Sequence, residues 1–269
     1  MSRTSRILLA ASVVLIASCR DSQARTQTVA QGSMVDTGFV TRTTRVGRNE
    51  FRYQVFTPRN FDKSRQWPVI VALAGSDARG TDGDSQTHSG FGLVLRANRE
   101  TFPAVVVFPQ VPPVSYGITV IDTITMQALD ATLKEFNGDP DRVYLTGVSL
   151  GAGVGVDIAV AHPDRFAAFV MVSGGLCKRC VLGAAGVTDS DADEYAAAAQ
   201  RLRNMPVWIT HGDADTQLPP ISAELFGQAL QRVNGNLHFN LLPGVKHEAW
   251  RVAYGPPLLT WLFAQKRSP

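Results

Sequence analysis

The stretch that most constrains this chain runs from Val143 to Gly153 and reads Val-Tyr-Leu-Thr-Gly-Val-Ser-Leu-Gly-Ala-Gly. Its first half is apolar and β-branched, which is typical of a buried strand. Small residues that permit a helix follow the serine, Ser149. The glycines on either side of Ser149 leave room for the chain to fold tightly over itself. The stretch therefore predicts a strand, a sharp turn holding Ser149 and a helix, an arrangement called a nucleophile elbow. A plain glycine-rich turn is the alternative.

The composition fits one globular domain. The 269 residues are 45% apolar and 18% charged, which is enough for a sizeable core. A formal net charge of +3 gives little electrostatic reason to expect nucleic-acid binding. Arg3 and Arg6 lie in a segment that we expect to be removed, so the mature chain is nearly neutral. We therefore expect no nucleic-acid partner.

The first residues have the form of a bacterial export signal. Arg3 and Arg6 precede an apolar run, residues 7–17, that is too short to span a bilayer as a folded helix. The run leads into Ile-Ala-Ser-Cys, which resembles a lipobox, where the cysteine (here Cys19) is lipidated and becomes the new N-terminus. Cleavage after Ala24 and a helix at the start of the core are the alternatives.

These features divide the chain into three parts. We predict a lipoprotein signal peptide over residues 1–18, a polar and aperiodic tether over 19–45, and the folded domain over 46–269. The protein is expected to be exported and held at a membrane of the periplasm or outer membrane through lipid on Cys19. Secretion is the alternative.

The three cysteines fit an oxidising compartment. With Cys19 assigned to lipid, Cys177 and Cys180 remain as a pair that could close a small disulfide. A redox-active pair is the alternative, although thioredoxin-type pairs belong to a different strand pattern. A zinc site needs four ligands and the sequence has no second cysteine pair, so no metal is expected.

Strand-like and helix-like segments alternate after the tether, which favours a parallel sheet with crossover helices. The predicted strands are 51–56, 69–73, 104–108, 142–146, 166–172, 207–210 and 237–242. The predicted helices are 120–136, 150–161, 191–203, 221–233 and 248–265, the last broken at its two prolines. The 51–56 strand is expected at the edge of the sheet.

A serine nucleophile needs a general base within hydrogen-bond reach and a carboxylate that orients the base. His247 follows the last predicted strand, at the same carboxyl edge of a parallel sheet as Ser149, and is the predicted base. His211 also follows a strand, but a glycine and two acids come after it, so we expect it to shape the acid loop. The other histidines are predicted to be structural or solvated: His88, His162 and His238.

The carboxylate is expected after the strand before the last one. The loop there reads His-Gly-Asp-Ala-Asp-Thr-Gln-Leu-Pro, from His211 to Pro219. Its two aspartates, Asp213 and Asp215, both fit by position, and the spacing alone leaves the choice between them open.

A tetrahedral oxyanion needs backbone N–H donors. One is expected from Leu150, at the N-terminus of the helix after the serine, and one from a loop after an early strand. The segment Ala74-Gly75-Ser76-Asp77 follows the 69–73 strand and fits that place. A plain glycine-rich surface loop is the alternative.

Together these residues resemble an α/β-hydrolase of the esterase type, the group that includes dienelactone-hydrolase-like, phospholipase/carboxylesterase-like and feruloyl-esterase-like proteins. The resemblance runs from about Arg48 to Lys266. Besides the elbow, it is carried by the stretches 108–110, 139–144, 162–168, 211–219 and 243–250. It implies an α/β-hydrolase fold, with helices on both faces of a mostly parallel central sheet. No metal, flavin or nucleotide motif is found in the sequence, so no cofactor is expected.

The resemblance narrows the candidate residues. It favours Asp215 over Asp213 as the acid of a triad with Ser149 and His247. It also implies that the backbone N–H of Ser76 is the second oxyanion donor.

The expected function is hydrolysis of a carboxylic ester, small or polymeric, through an acyl-enzyme on Ser149. A serine peptidase or polyester depolymerase using the same triad is one alternative. A non-catalytic surface lipoprotein that keeps the fold for binding is another. Ala74 motivates this last alternative, because the family usually has a histidine there.

Overall fold

One sheet of eight strands lies at the centre of the domain, in the spatial order β1-β2-β4-β3-β5-β6-β7-β8. The structure, a computed structural model, describes residues 38–113, 116–176, 192–233 and 235–267. They belong to one compact unit, Val35–Pro269. The strands are β1 (Gly38–Val46), β2 (Asn49–Thr57), β3 (Trp67–Leu73), β4 (Val105–Pro109), β5 (Gly138–Val148), β6 (Ala168–Val172), β7 (Val207–Gly212) and β8 (Leu237–Leu242). The β1–β2 and β2–β4 pairs are antiparallel, and the other pairs of this sheet are parallel.

Helices cover both faces of the sheet. They are α1 (Phe91–Asn98), α2 (Gly117–Glu135), α3 (Leu150–Ala161), α4 (Ala192–Arg201), α5 (Ile221–Arg232), α6 (Trp250–Ala253) and α7 (Pro256–Ala264). Apolar residues of α2 to α5 share one core with the sheet, and those of α1, α6 and α7 share the other. The predicted mostly parallel sheet with helices on both faces is confirmed.

Strand β3 explains why both faces need a cover. All of its seven residues are buried. Val69 and Val71 belong to the core on the α2–α5 side, whereas Ile70 and Ala72 belong to the core on the other side. Successive side chains of a strand alternate between faces, so a continuous apolar run is stable only where both faces are packed.

The parallel strands bring their carboxyl ends to one edge of the sheet. The chain passes from β3 to β4 on one side and then to β5 on the other side, so the winding reverses between β3 and β5. In open α/β sheets, ligands bind outside the carboxyl ends of the strands at such a reversal. The loops that follow β3, β5, β7 and β8 are therefore the place where a site is expected.

Strand β1 corrects the predicted domain boundary. The sequence predicts a tether over residues 19–45, whereas Gly38–Val46 is a strand that pairs with β2 along its whole length. The prediction is wrong over 38–45 because β1 is an edge strand. Its threonines and arginines are partly or fully exposed, and an edge strand with this polar composition resembles a tether in the sequence. As a consequence β2, the predicted edge strand, is second in the sheet.

The other elements lie close to their predicted places. The bounds of α3 and β8 match the prediction, and the last predicted helix is divided into α6 and α7 just before Pro256. Helix α1 is not predicted. Strand β5 begins at Gly138, whereas the sequence predicts its start at residue 142.

Several predictions concern residues outside those that the structure describes. They are the signal peptide over 1–18, the tether up to residue 37, the lipid site Cys19 and the pair Cys177 and Cys180. No helix within the described ranges combines the length and the apolar character needed to cross a membrane.

Candidate active site

Ser149 lies in the turn between β5 and α3, with φ 55° and ψ −119°. This left-handed conformation is strained for a residue with a side chain, at a cost of about 1–3 kcal/mol. The glycines on either side make the turn possible. A Cβ on Gly147 would lie 2.1 Å from the carbonyl oxygen of Gly151, and a Cβ on Gly151 would lie 2.3 Å from that of Leu73. The predicted strand, turn and helix are therefore present.

Backbone hydrogen bonds hold the strained serine in place. The Ser149 N–H donates to the carbonyl oxygen of Val172 at the end of β6, over 3.0 Å. The Ser149 carbonyl accepts from the N–H groups of Ala152 and Gly153 in the first turn of α3. The surrounding sheet and helix thus fix a conformation that the serine alone would not adopt.

A continuous chain of hydrogen bonds leads from the serine to a buried carboxylate. The Nε2 atom of His247 is 2.9 Å from Ser149 Oγ, and its Nδ1 atom is 2.7 Å from Asp215 Oδ2. The Asp215 side chain is fully buried, whereas that of His247 is 18% exposed. An ionised carboxylate accepts hydrogen bonds only, so Nδ1 of His247 carries a proton and Nε2 is left to accept the serine proton. The arrangement can make Ser149 a nucleophile.

Four donors satisfy the buried Asp215 carboxylate. Its Oδ1 accepts the backbone N–H groups of Gln217 and Leu218, each over 2.9 Å. Its Oδ2 accepts from Nδ1 of His247 and lies 3.2 Å from Nε2 of His211. A carboxylate can be buried when its oxygens have donors, and this loop and the two histidines supply them.

Asp213, the other candidate acid, has a different contact. Its Oδ1 accepts the backbone N–H of Gly244 over 2.7 Å, in the turn that leads to His247. Of the two aspartates, the structure brings Asp215 to the histidine. Asp213 fixes the turn that carries the histidine.

The predicted oxyanion donors each begin a helix near Ser149. Leu150 is the first residue of α3, and Ser76 is the first residue of a short 3-10 helix, Ser76–Ala78, that follows β3. The first N–H groups of a helix have no acceptor within the helix and remain available for a ligand. A Cβ on Gly75 would lie 3.7 Å from Ser149 Cβ, so the loop passes directly beside the serine.

A buried amide anchors the loop that contains Ser76, and sequence reasoning did not find it. Gln110, at the end of β4, accepts the Gly83 N–H over 2.7 Å and donates to the Ala78 carbonyl and to Asp82 Oδ2, each over 3.2 Å. A hydrogen bond from the Ser85 backbone N–H is the main cause that holds the pKa of Asp82 well below its usual range. The available signal was the glutamine directly after a buried strand, in the stretch Phe-Pro-Gln.

The remaining histidines have other partners. His88 pairs with Asp84, His162 with Asp122, and His238 stacks on Trp208.

A cavity of about 820 Å³ lies near the amino ends of β3 and β5, and the residues that line it include no triad member. Within the described ranges, no group of three or more His, Cys, Asp or Glu side chains is arranged to hold a metal ion.

Comparisons with known proteins find relatives that are named as esterases. The family model described as "Esterase PHB depolymerase" matches residues 120–241, which include Ser149 and Asp215. Acetylxylan esterase A of Emericella nidulans is 27% identical over 154 residues, 45% of this chain and 49% of the relative. Feruloyl esterase B of Thermothelomyces thermophilus is 27% identical over 231 residues, 73% of this chain and 75% of the relative. The chain thus spans about half of the first relative and three quarters of the second.

A solved structure described as a thermostable esterase has a TM-score of 0.67 and 23% identity with this chain. The match covers 85% of this chain and 63% of that one, and at this identity it shows the fold alone. The chain therefore has the α/β-hydrolase fold, and the curated relatives that it matches in sequence are named as esterases.

Proposed function

We propose that this chain is a serine carboxylic-ester hydrolase that acts through an acyl-enzyme on Ser149. The observation that carries the proposal is the unbroken set of hydrogen bonds from Ser149 Oγ through His247 to Asp215 Oδ2, which starts at a strained turn. A serine held in this way has a base to remove its proton and a carboxylate to orient that base. The esterase names of the relatives support the same reaction class.

In the acylation step, Ser149 Oγ forms a bond to the ester carbonyl carbon while its proton passes to His247 Nε2. Asp215 stabilises the positive charge that develops on the imidazole. The carbonyl oxygen becomes an oxyanion, which the N–H groups of Leu150 and Ser76 are placed to stabilise. The ester C–O bond then breaks, and the leaving alcohol takes the proton from His247.

Deacylation repeats the same events with water as the nucleophile. His247 removes a proton from water as the water oxygen bonds to the acyl carbon. Collapse of the second tetrahedral intermediate returns the proton to Ser149 Oγ and releases the acid.

Removal of the serine hydroxyl tests the nucleophile. We expect Ser149→Ala to lower kcat for a short p-nitrophenyl ester by a factor of about a thousand or more, because only binding and oxyanion stabilisation remain. Ser64→Ala is the matched control, since Ser64 is exposed and contacts Asp62 instead of the triad. Turnover by Ser149→Ala at the control rate would contradict the proposal.

Two isosteric variants test the acid. Asp215→Asn is expected to lower kcat on the order of ten-thousandfold, because the amide favours the wrong imidazole tautomer. Asp213→Asn should lower kcat far less, because Asp213 accepts a backbone N–H from Gly244. Among the described residues, no hydrogen bond joins Asp213 to a triad member. A larger loss in Asp213→Asn would reverse the assignment.

The family-model match supports a polymeric ester as the second candidate substrate. Hydrolysis of short p-nitrophenyl esters, acetylated or feruloylated polysaccharides, an aliphatic polyester and a peptide amide should be compared, with Ser149→Ala as the blank. We expect the esters to be hydrolysed faster than the amide. If the chain binds one of these substrates but is not labelled by a fluorophosphonate probe, it would instead be a non-catalytic lipoprotein.

We also propose that the protein is exported, with Cys19 lipidated and with a disulfide between Cys177 and Cys180. The support is the basic and apolar N-terminal segment followed by Ile-Ala-Ser-Cys, and the use of only three cysteines. Mass spectrometry of the N-terminal peptide from bacterial membranes should show acylated Cys19, and Cys19→Ala should release the protein from that fraction. Cleavage after Ala24 would contradict the anchor. If Cys177 and Cys180 form a disulfide, a thiol reagent should label them only after a reductant is added.

A further inference from the structure

We infer that His211 is a positioning residue of this site, which holds Asp215 and its loop where the carboxylate can receive His247. The inference rests on the proposed function and extends it by one residue. His211 is the second-last residue of β7, and its side chain is 1% exposed.

The contacts of His211 determine which of its nitrogens carries the proton. Its Nε2 atom is 2.9 Å from the carbonyl oxygen of Leu218 and 3.2 Å from Asp215 Oδ2. Both of these atoms are acceptors, so Nε2 must be the donor. His211 therefore supplies one N–H to two oxygens of the acid loop, with the shorter contact to Leu218.

These contacts close the loop on itself. Leu218 donates its N–H to Asp215 Oδ1 and accepts from His211 through its carbonyl oxygen. His211 thus ties both ends of the segment 215–218 to the end of β7. Asp215 Oδ1 is fixed by two backbone donors, and Oδ2 lies between the two imidazoles.

Loss of the His211 donor would loosen the loop without touching Ser149 or His247. The Leu218 carbonyl would lose its side-chain donor, and the carboxylate could rotate about its remaining bonds. A misplacement of about 1 Å in a catalytic group can cost about a hundredfold in rate. Since Asp215 acts on the imidazole and not on the substrate, the effect should appear in kcat and leave KM nearly unchanged.

The test uses the full chain and three substitutions. His211→Leu removes the donor, and His211→Gln replaces it with an amide whose two N–H groups can reach both acceptors. Thr210→Val is the matched structural control. Thr210 is buried and precedes His211 directly in β7. The substitution removes the hydroxyl that accepts the Trp208 indole N–H and leaves Asp215 untouched.

We expect His211→Leu to lower kcat for a short p-nitrophenyl ester by about tenfold to a hundredfold with KM within about twofold. His211→Gln should recover most of the loss, and Thr210→Val should lose stability but keep kcat. If His211→Leu does not fold, His211→Asn serves in its place, because its shorter amide cannot reach both acceptors. Full kcat in the variant without the donor, or no recovery with glutamine, would overturn the inference.

A spectroscopic readout separates this inference from the proposed function. The low-field proton resonance of His247 Nδ1–H reports the hydrogen bond to Asp215 and needs no turnover. It should be sharp in the unmodified chain and in His211→Gln, and broadened or lost in His211→Leu. An unmodified chain that neither turns over ester nor reacts with fluorophosphonate would contradict the proposed function, whereas an unchanged resonance in His211→Leu would overturn only the role of His211.

Discussion

Ser149 has a backbone conformation that residues with a side chain rarely adopt, and its neighbours enforce it. The close approach of Gly147 to Gly151, and of Gly151 to the end of β3, leaves no space for a Cβ at either glycine. The same contact places the loop that contains Ser76 against the elbow. The close packing at these two glycines therefore affects both the serine and the loop that carries the proposed oxyanion donor.

Substitution of Gly151 tests that contact. A Cβ there would lie 2.3 Å from the carbonyl oxygen of Leu73 and 2.5 Å from that of Ala74, both backbone atoms that cannot rotate away. We expect Gly151→Ala to lower the free energy of unfolding by about 1–3 kcal/mol and to lower kcat, because the Ser76 loop must move. Urea unfolding and ester turnover measure the two effects. In the control Gly255→Ala, the nearest atoms are 3.7 Å away, so kcat should not change.

Replacement of Ser76 by proline tests the second oxyanion donor, because it removes the N–H. Proline is tolerated at the first position of a helix, and the preceding Gly75 is extended, with φ −69° and ψ −179°, as a residue before proline should be. We expect kcat to fall by about a hundredfold to a thousandfold.

Ser76→Ala keeps the N–H and is the matched comparison. Its kcat should fall far less than that of the proline variant. Equal losses in both variants would show that the side chain, and not the backbone, is what matters at this position.

At this scale the sequence predicts more of the site than of its surroundings. The glycine spacing around Ser149 and the place of His247 after the last strand follow from topology alone. The choice between Asp213 and Asp215 does not, because both lie in the same loop and differ only in where the turn directs each carboxylate. The contacts of Gln110 join residues that are far apart in the chain, so its anchoring role is not visible in the local sequence. The position of His211 before the acid loop predicts that it shapes this loop, but which oxygens its N–H reaches depends on how the loop folds.

The strand that leads to the elbow is tied to the C-terminal helices by a buried hydroxyl pair. Tyr254, between α6 and α7, has its hydroxyl oxygen 2.7 Å from Thr146 Oγ1 in β5. Thr146 in turn donates to the carbonyl oxygen of Val170 in β6, so the Tyr254 O–H is the donor in the pair. Burial raises the pKa of Tyr254. Two neighbouring strands and the turn between α6 and α7 therefore meet at Thr146, three residues before Ser149.

The direction of these hydrogen bonds predicts unequal losses of stability. Thr146→Val leaves the Tyr254 O–H buried without its acceptor and should lower the free energy of unfolding by about 1–3 kcal/mol. Tyr254→Phe leaves Thr146 its bond to Val170 and should cost about 1 kcal/mol. The double variant should cost less than the sum of the two, since both remove the same bond. Urea unfolding measures all three, and a larger loss in Tyr254→Phe would reverse the donor assignment.

Elements that are buried on both faces are the ones that the sequence predicts well. Strands β3 and β6 are continuous apolar runs, and α3 is bounded by the elbow and by His162-Pro163. The misassigned strand β1 is half solvated, so its hydrophobic signal is weak. Helix α1, which the sequence does not predict, is eight residues long and begins after Gly90 without a capping side chain.

Across the whole molecule, the sheet places Ser149, Asp215 and His247, from three separate loops, within hydrogen-bond distance of one another. The same packing buries tyrosines in the cores on both faces. Burial raises the pKa of Tyr144 to about 12, and it also raises the pKa of Tyr53. The ring of Tyr144 packs against Phe263, and its hydroxyl donates to the carbonyl oxygen of Gln265, both in the C-terminal segment. The fold is thus linked to the protonation of these phenols.

This linkage predicts a loss of stability at alkaline pH. Phenols in the unfolded chain ionise near pH 10, whereas Tyr144 in the folded chain keeps its proton until about pH 12. Between these values the unfolded state binds fewer protons, so the free energy of unfolding decreases as pH rises, by up to about 1.4 kcal/mol per pH unit for each such tyrosine. Below pH 10 the contribution is fully present. Urea unfolding measured from about pH 8 to about pH 12, in steps of about half a pH unit, should show this decline.

The variant Tyr144→Phe isolates one of these tyrosines. It should be less stable than the unmodified chain at neutral pH, because it loses the hydrogen bond to Gln265. Its free energy of unfolding should also fall less steeply with pH above pH 10, because about one proton fewer separates the folded and unfolded states. The absorbance of tyrosinate, followed in the folded state, should show one late-ionising group fewer. Equal slopes for the two chains would mean that the phenol of Tyr144 ionises as readily in the folded protein as in the unfolded one.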